Sequence, residues 1–259
     1  MSFTSDQLIQ YLGSYFWPFV RIGAALMASP FFGADAIVPR RVRLMLALSI
    51  TVLIAPLLPA TEFVNPFSAE GFLLLIQQLL LGIAMGTLLK IAFEALSLGG
   101  MSTAMPMGLG FANMVDPVNG VQVPVLSTFF TIIGTLLFLS MNAHLILLQV
   151  LVDSFTSLPV GTVGLSSNSI LKIALWGGQI FMGGILIALP AIMIISLINI
   201  TFGVMTKSAP QLNIFAVGFP TTMAAGFLVI FLTLPNLLPR FMALIEEAFE
   251  IMRLLLGIT

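Results

Sequence analysis

The chain contains no cysteine, and that absence removes disulfides, thiolate catalysis and cysteine-based metal sites together. It has one histidine, His144, so a histidine-based metal site would need ligands from another chain. Charge is scarce as well: 7% of the 259 residues are Asp, Glu, Lys or Arg, where a soluble domain carries about 25%. A net charge of −1 gives no field to attract nucleic acid, and no basic patch with interleaved aromatics is present. Low-complexity tails, domain linkers and short-period repeats are missing too, so residues 1–259 read as a single unit. What remains is 59% hydrophobic, with a mean hydropathy of +1.15. Such a chain has little polar surface to present to water, and the expected fold is an all-α, integral membrane-type helical protein.

The N-terminus does not read as a cleavable signal peptide. Such peptides open with positive charge, whereas the first charge here is Asp6 and the first base, Arg21, lies within an apolar run. Thr4-Ser5-Asp6-Gln7 fits a capping box that starts a retained first helix. Apolar segments fall at roughly 8–34, 42–60, 71–98, 123–151, 170–205 and 212–239, against about 20 residues for a spanning helix. Pro18, Pro30, Pro56, Pro190 and Pro220 interrupt or bound them, and Gly177, Gly178, Gly183 and Gly184 cluster in the fifth. Gly82 and Gly86 form a small-xxx-small pair suited to close helix approach, within the chain or with another. Ala60–Glu70 and Asp153–Ser169 are polar connections, the second with Asn168 near a helix start. Arg40, Arg41 and Arg43 form the basic cluster that the positive-inside rule puts in the cytoplasm; six crossings would then leave both termini outside. Arg240 to Leu256 reads as an amphipathic helix. Ala243, Glu246, Glu247, Glu250 and Arg253 lie on one stripe, and Phe241, Leu244, Ile245, Ala248, Phe249 and Met252 on the other. Its net acidic face favours docking on protein over an anionic lipid surface.

The most informative stretch is Gly99 to Pro124, GGMSTAMPMGLGFANMVDPVNGVQVP. Its five glycines and three prolines argue against a continuous helix, and its one charge is Asp116. An unwound segment between hydrophobic helices leaves backbone groups without partners, so it must face protein or line a cavity. Met101, Met105, Met107 and Met114 add side chains that deform to fill irregular gaps. Together these predict a soft obstruction inside a membrane assembly, or else a static re-entrant packing element.

Ionisable residues at membrane depth are functional candidates, and these are Arg21, Lys90, Glu94, His144 and Lys172. Lys90 and Glu94 stand four apart on one helical face and can form an intramembrane polar pair. A structural clamp and a proton or ion relay are both open for them, as are a hydrogen-bonded interior role and a protonation switch for His144. Lys172 most simply snorkels. Catalytic patterns fail: Gly108-Leu109-Gly110-Phe111-Ala112 begins like a dinucleotide loop, but Asn113 stands at its third glycine. No HExxH, GxSxG or phosphate-binding GxxxxGK[ST] occurs, so no enzyme and no cofactor are expected.

Three stretches together resemble the FliR/SctT family of type III secretion export-gate proteins. MPMGLGFANMVDPVNGVQVPVLSTFF (Met105–Phe130) is similar to the family's central glycine-containing loop ending in Asp-Pro. LLFLSMNAHLILLQVLVDSFTSLPVG (Leu136–Gly161) matches its pattern at His144, Ser154-Phe155 and Pro159-Val160-Gly161. TKSAPQLNIFAVGFP (Thr206–Pro220) resembles a signature that involves Lys207, Pro210, Gln211, Asn213, Phe215, Gly218 and Pro220, a motif of subunit contact. Where the family often has a lysine two residues further on, this chain has Thr222, and any role of that lysine is open here.

The resemblance implies a FliP-like part over 1–170, with a plug loop at 99–124, then a FliQ-like helical hairpin over 171–259 ending in the amphipathic helix. It implies FliP-like and FliQ-like partner subunits, an FlhB-like protein on the cytoplasmic side, and a central channel for unfolded flagellar proteins. The setting would be the bacterial inner membrane and flagellar basal body, with parts projecting toward the periplasm. Met105, Pro106, Met107, Gly108, Leu109, Gly110, Phe111 and Ala112 map onto the plug. A small-solute or ion transporter with a midplane site at the broken helices is the competing reading.

Overall fold

The computed structural model describes residues 5–30, 38–58, 64, 68–109, 125–161, 164, 166–208 and 214–258, with the backbone alone described at 5–12, 40, 214 and 215. The Thr4 capping box therefore falls outside the described residues, as does most of the connection at 60–70. The helices are α1 (Ser5–Ala28), α2 (Arg40–Ile54) with a 3₁₀ turn at Ala55–Leu57, α3 (Ala69–Ala104), α4 (Val125–Ser140), α5 (Ala143–Ser157), α6 (Ser167–Trp176), α7 (Gln179–Ser208) and α8 (Ile214–Leu256). No strand occurs among the described residues. The protein is an all-α membrane protein.

Several expectations are corrected. By length and apolarity three helical stretches among the described residues can cross a membrane, or four if α4 and α5 count as one broken span. Six crossings are not reached because α1 is not apolar enough to qualify, α2 has only 15 residues and the segment at 123–151 breaks at Asn142. That asparagine takes the left-handed conformation at φ 56°, which its short polar side chain tolerates. The fifth segment breaks at Gly177–Gly178, yet α7 continues through Pro190. The C-terminal amphipathic stretch is no separate helix: α8 runs 43 residues through Pro220, Pro235 and Pro239. Its stripes fall as the pattern predicts, with Phe241, Leu244, Ile245, Ala248, Phe249 and Met252 buried and the three glutamates and Arg253 exposed. At the start of α6 the cap is Ser166, whose hydroxyl accepts from the Ser169 amide at 3.1 Å, rather than Asn168.

The chain divides into two units, each described by itself. One holds Met1–Ile91, Asn142–Gly177 and Glu246–Thr259. Ile22, Leu26, Ala47 and Phe155 form an apolar cluster there, flanked by Phe19, Leu46 and Ile50. Gly82 and Gly86 of α3 lie so close to the α1 backbone at Arg21, Ala25 and Ala28 that neither has room for a Cβ. The small-xxx-small pair thus serves an intrachain crossing. Arg21 is fully buried in this unit. Its Nε donates to Gln78 Oε1 at 2.7 Å, Nη1 to the Ser154 carbonyl at 2.8 Å and hydroxyl at 3.1 Å, and Nη2 to the Leu158 carbonyl at 2.9 Å. Its guanidinium carbon stands 4.2 Å from the centre of the Phe155 ring. The partners are the last carbonyls of α5, where the helix carries partial negative charge, so one side chain ties α1 and α3 to the end of α5. Arg43 is buried too, with Nε donating to the Val38 carbonyl at 2.9 Å.

The other unit holds Ala92–Met141 and Gly178–Ile245. Phe93 meets Phe138 and Phe241 edge-on, with ring centres 5.7 and 5.2 Å apart. The Ser97 and Ser127 hydroxyls pair at 2.7 Å between α3 and α4. Gly100 packs against the Ser127 backbone, and Gly99 against Ile187 and Gly184 of α7. The expectation of an unwound chain from Gly99 onward is therefore corrected at its start. The helix continues to Ala104 because Gly99 and Gly100 are needed for close packing, and tertiary contact outweighs the weak helix propensity of glycine.

Replacing Arg21 should be costly. Arg21→Ala removes the Arg21 donor from the Leu158 carbonyl and from Gln78 Oε1, each worth about 1–3 kcal/mol when buried and unpaired, while the Ser154 carbonyl keeps its bond from the Leu158 amide; the variant should unfold at markedly lower temperature in detergent. Arg21→Lys should fail to restore it, since one ammonium cannot match the planar fork that reaches all three.

Candidate functional site

The site begins where α3 ends. The Met105 amide still bonds the Met101 carbonyl at 3.1 Å, and the Gly108 amide then bonds the Met105 carbonyl at 3.1 Å, closing a tight turn. Gly108 has φ +82°, a conformation that residues with a Cβ rarely adopt, and a Cβ there would also strike the Phe219 ring at 2.8 Å. The turn drives Met107 inward to 0% exposure, while Met105 keeps 60% and Met101 42%. Pro106, Gly108 and Leu109 are half-buried.

The seat for Met107 is Gly226 of α8. A Cβ on Gly226 would lie 2.5–2.7 Å from the Met107 Cγ, Cε and Sδ atoms, so the thioether occupies the space that glycine leaves. Phe219, Thr222 and Gly226 recur at a spacing of three and four, one face of α8. Thr222 is buried, and its hydroxyl donates to the Phe219 carbonyl at 3.0 Å. The contact is apolar, with a flexible side chain against a bare backbone, and offers no group for chemistry. Among the described residues no three His, Asp or Glu side chains gather where they could hold a metal ion.

Of the residues singled out in the sequence, Met105 to Leu109 form this turn; Gly110, Phe111 and Ala112 lie outside the described residues. Lys90 and Glu94 are each exposed on α3, not enclosed by the described residues. Lys207 is exposed in the last turn of α7, the end of a helix that favours a cation. Pro210, Gln211 and Asn213 fall outside the described residues, as does the side chain of Phe215; Gly218 is buried and Pro220 exposed in α8. His144 is half-buried in the first turn of α5, its Nδ1 buried without a partner. Lys172 is exposed. Sequence reasoning missed the seat itself. The sequence held no local mark for it, since Gly226 shares its apolar helical run with Gly218.

Residues 12–248 match the family described as bacterial export proteins, family 1. Over 249 residues the chain is 39% identical to the flagellar biosynthetic protein FliR of Escherichia coli (strain K12), covering 96% of this chain and 95% of that one. It is 38% identical over 253 residues to the FliR protein of Pectobacterium carotovorum subsp. carotovorum, at 97% and 96% coverage. The FliR protein of Bacillus subtilis (strain 168) is 26% identical over 232 residues, at 87% coverage of each.

The absence of cysteine makes the seat testable with single reporters. In detergent, Met107→Cys should react slowly with a maleimide and Met105→Cys quickly. Adding Gly226→Leu should bring the Met107→Cys rate to within about threefold of the Met105→Cys rate, because overpacking of this kind costs about 1–3 kcal/mol and expels the side chain.

Proposed function

We propose that this chain, which belongs to the bacterial export proteins of family 1, is a non-enzymatic subunit of the flagellar type III secretion export gate. In this reading it joins FliP-like and FliQ-like subunits around a channel for unfolded flagellar proteins, with an FlhB-like protein at the cytoplasmic side. Its FliP-like part reaches to about residue 170 and a FliQ-like hairpin follows. The assembly sits in the bacterial inner membrane at the flagellar basal body, with parts directed toward the periplasm.

The observation that carries the reading, beside near full-length similarity to FliR proteins, is the Met107 turn seated on Gly226. A conduit for polypeptides of any sequence must exclude ions and water at rest, yet offer no selective grip when open. A turn of Met, Pro, Gly and Leu supports that use, since it closes by van der Waals contact and presents few hydrogen-bonding side chains. The Gly108 conformation lets the chain reverse within three residues and swing about that point. Energy for transport is supplied elsewhere in the apparatus.

Purification tests the assignment. The chain should copurify with FliP- and FliQ-like proteins in fixed stoichiometry; a stable homo-oligomer that transports a small solute would overturn it. Deleting Pro106–Gly110 should raise ion leakage through the assembled complex, and unchanged conductance would show that the seal lies elsewhere.

A further inference from the structure

Pro190 lies inside α7 and has no backbone N–H. The carbonyl four residues earlier, Leu186, therefore lacks the donor that an unbroken helix would provide. The guanidinium of Arg240 on α8 donates through Nη1 to that same carbonyl oxygen. Pro190 and Arg240 also border one small cavity of about 50 Å³, together with Ile187 and Asn236. A volume of that size admits a water or two beside the bond, but no larger ligand.

The rest of this contact is apolar and non-directional: Ile187 and Pro190 on α7 face Ile230 and Leu237 on α8 across the cavity. Apolar contact alone sets a distance between two helices more firmly than it sets their axial register. A charge-assisted bond to a single fixed carbonyl does set register. Arg240 is also the first charged residue of α8, after 26 uncharged positions from Ile214 to Pro239, so no neighbouring cation on the helix can substitute for it. Gly226 lies 14 residues earlier on the same helix, about 21 Å along the axis at 1.5 Å per residue.

We propose that Arg240 is a positioning residue which, by completing the hydrogen bonding of the carbonyl freed by Pro190, fixes the register of α8 against α7 and so holds Gly226 beneath Met107. The significance for gating rests on the plug reading above; the coupling between Arg240 and Pro190 does not. It is a coupling of two residues on different helices for a stated cause, and that cause can be removed separately. Pro190→Ala returns an amide donor to Leu186 from within α7 and makes Arg240 redundant at this point.

The test is a double-mutant cycle in the full chain assembled with its partner subunits, read by deuterium uptake in peptides covering 183–196 and 223–236. Arg240→Met alone should speed uptake in both by about tenfold, the size expected for one charge-assisted hydrogen bond. On the Pro190→Ala background the same change should alter uptake less than about twofold. Labelling of Met107→Cys should follow the same dependence. Equal effects of Arg240→Met on the two backgrounds, or none on either, would overturn the proposal. If Arg240→Met does not assemble, Arg240→Gln, which keeps N–H donors, should assemble and exchange nearly as the parent; assembly failure of both variants regardless of Pro190→Ala would also overturn it. Should deletion of Pro106–Gly110 leave conductance unchanged while the cycle shows the coupling, the seal assignment falls and the Arg240 assignment stands.

Discussion

A backbone carbonyl without its intrahelical donor must find another within the protein, because a chain of this composition keeps water away from most of its length. Arginine answers that requirement twice: Arg21 donates to the Leu158 carbonyl at the end of α5, and Arg240 to the carbonyl that Pro190 frees in α7. Arg43 serves the non-helical Val38 carbonyl ahead of α2 in the same way. Arg21 shows most clearly why this works. Its charge is fully buried and its partners are neutral groups, but they converge at a helix C-terminus where the peptide dipoles sum to partial negative charge, and the Phe155 ring covers one face of the guanidinium. A carboxylate partner would add a second ion to desolvate, at a cost that often equals the attraction gained. Neutral oxygens arranged by a helix end meet the need with one buried charge.

The same requirement explains which parts of the fold were legible in the sequence. Hydropathy and the scarcity of charge revealed an all-helical membrane protein, and the period of Phe241, Leu244, Ile245, Ala248, Phe249 and Met252 revealed the buried stripe of α8. Helix ends were read less well, because glycine and proline have two uses that composition does not separate. At Gly177–Gly178 and at Gly108 they do end or turn the chain. At Gly99, Gly100, Gly82 and Gly86 they let helices touch, and the helix runs on. What distinguishes the two is the neighbour across the contact, and that neighbour is remote in sequence. Pro190, Pro220, Pro235 and Pro239 are likewise tolerated within α7 and α8.

The candidate site was legible by halves for a related reason. Its soft side, the Met-Pro-Met-Gly-Leu turn, shows in composition alone. Its receiving side depends on which face of α8 meets the turn, and no local pattern marks Phe219 and Gly226 apart from other apolar positions in that helix. Arg21 was legible as an anomaly, a cation within an apolar run, but its partners at Gln78, Ser154 and Leu158 stand 57, 133 and 137 positions away. Lys90 and Glu94 were legible as a spacing only. Both stay exposed among the described residues.

How tightly the turn is held decides whether it can act as a gate. Of Met101, Met105 and Met107, only Met107 is enclosed. Burying one such side chain is worth about 1.5–3 kcal/mol, which corresponds to a closed-to-open ratio of roughly 10 to 150. That range suits a seal that must hold at rest and still yield to an entering polypeptide. A polar lock would behave differently: each hydrogen bond broken on opening would leave buried groups unpaired unless the passing chain supplied matching partners, and chains of arbitrary sequence do not. Apolar closure carries no such demand. The firm elements of this unit, the aromatic contacts of Phe93 and the Arg240 bond, lie away from the turn and hold the surface on which Met107 rests. In the proposed gate reading, rigidity is thus placed in the seat and compliance in the stopper, so that loosening the seat admits leakage even with an intact turn.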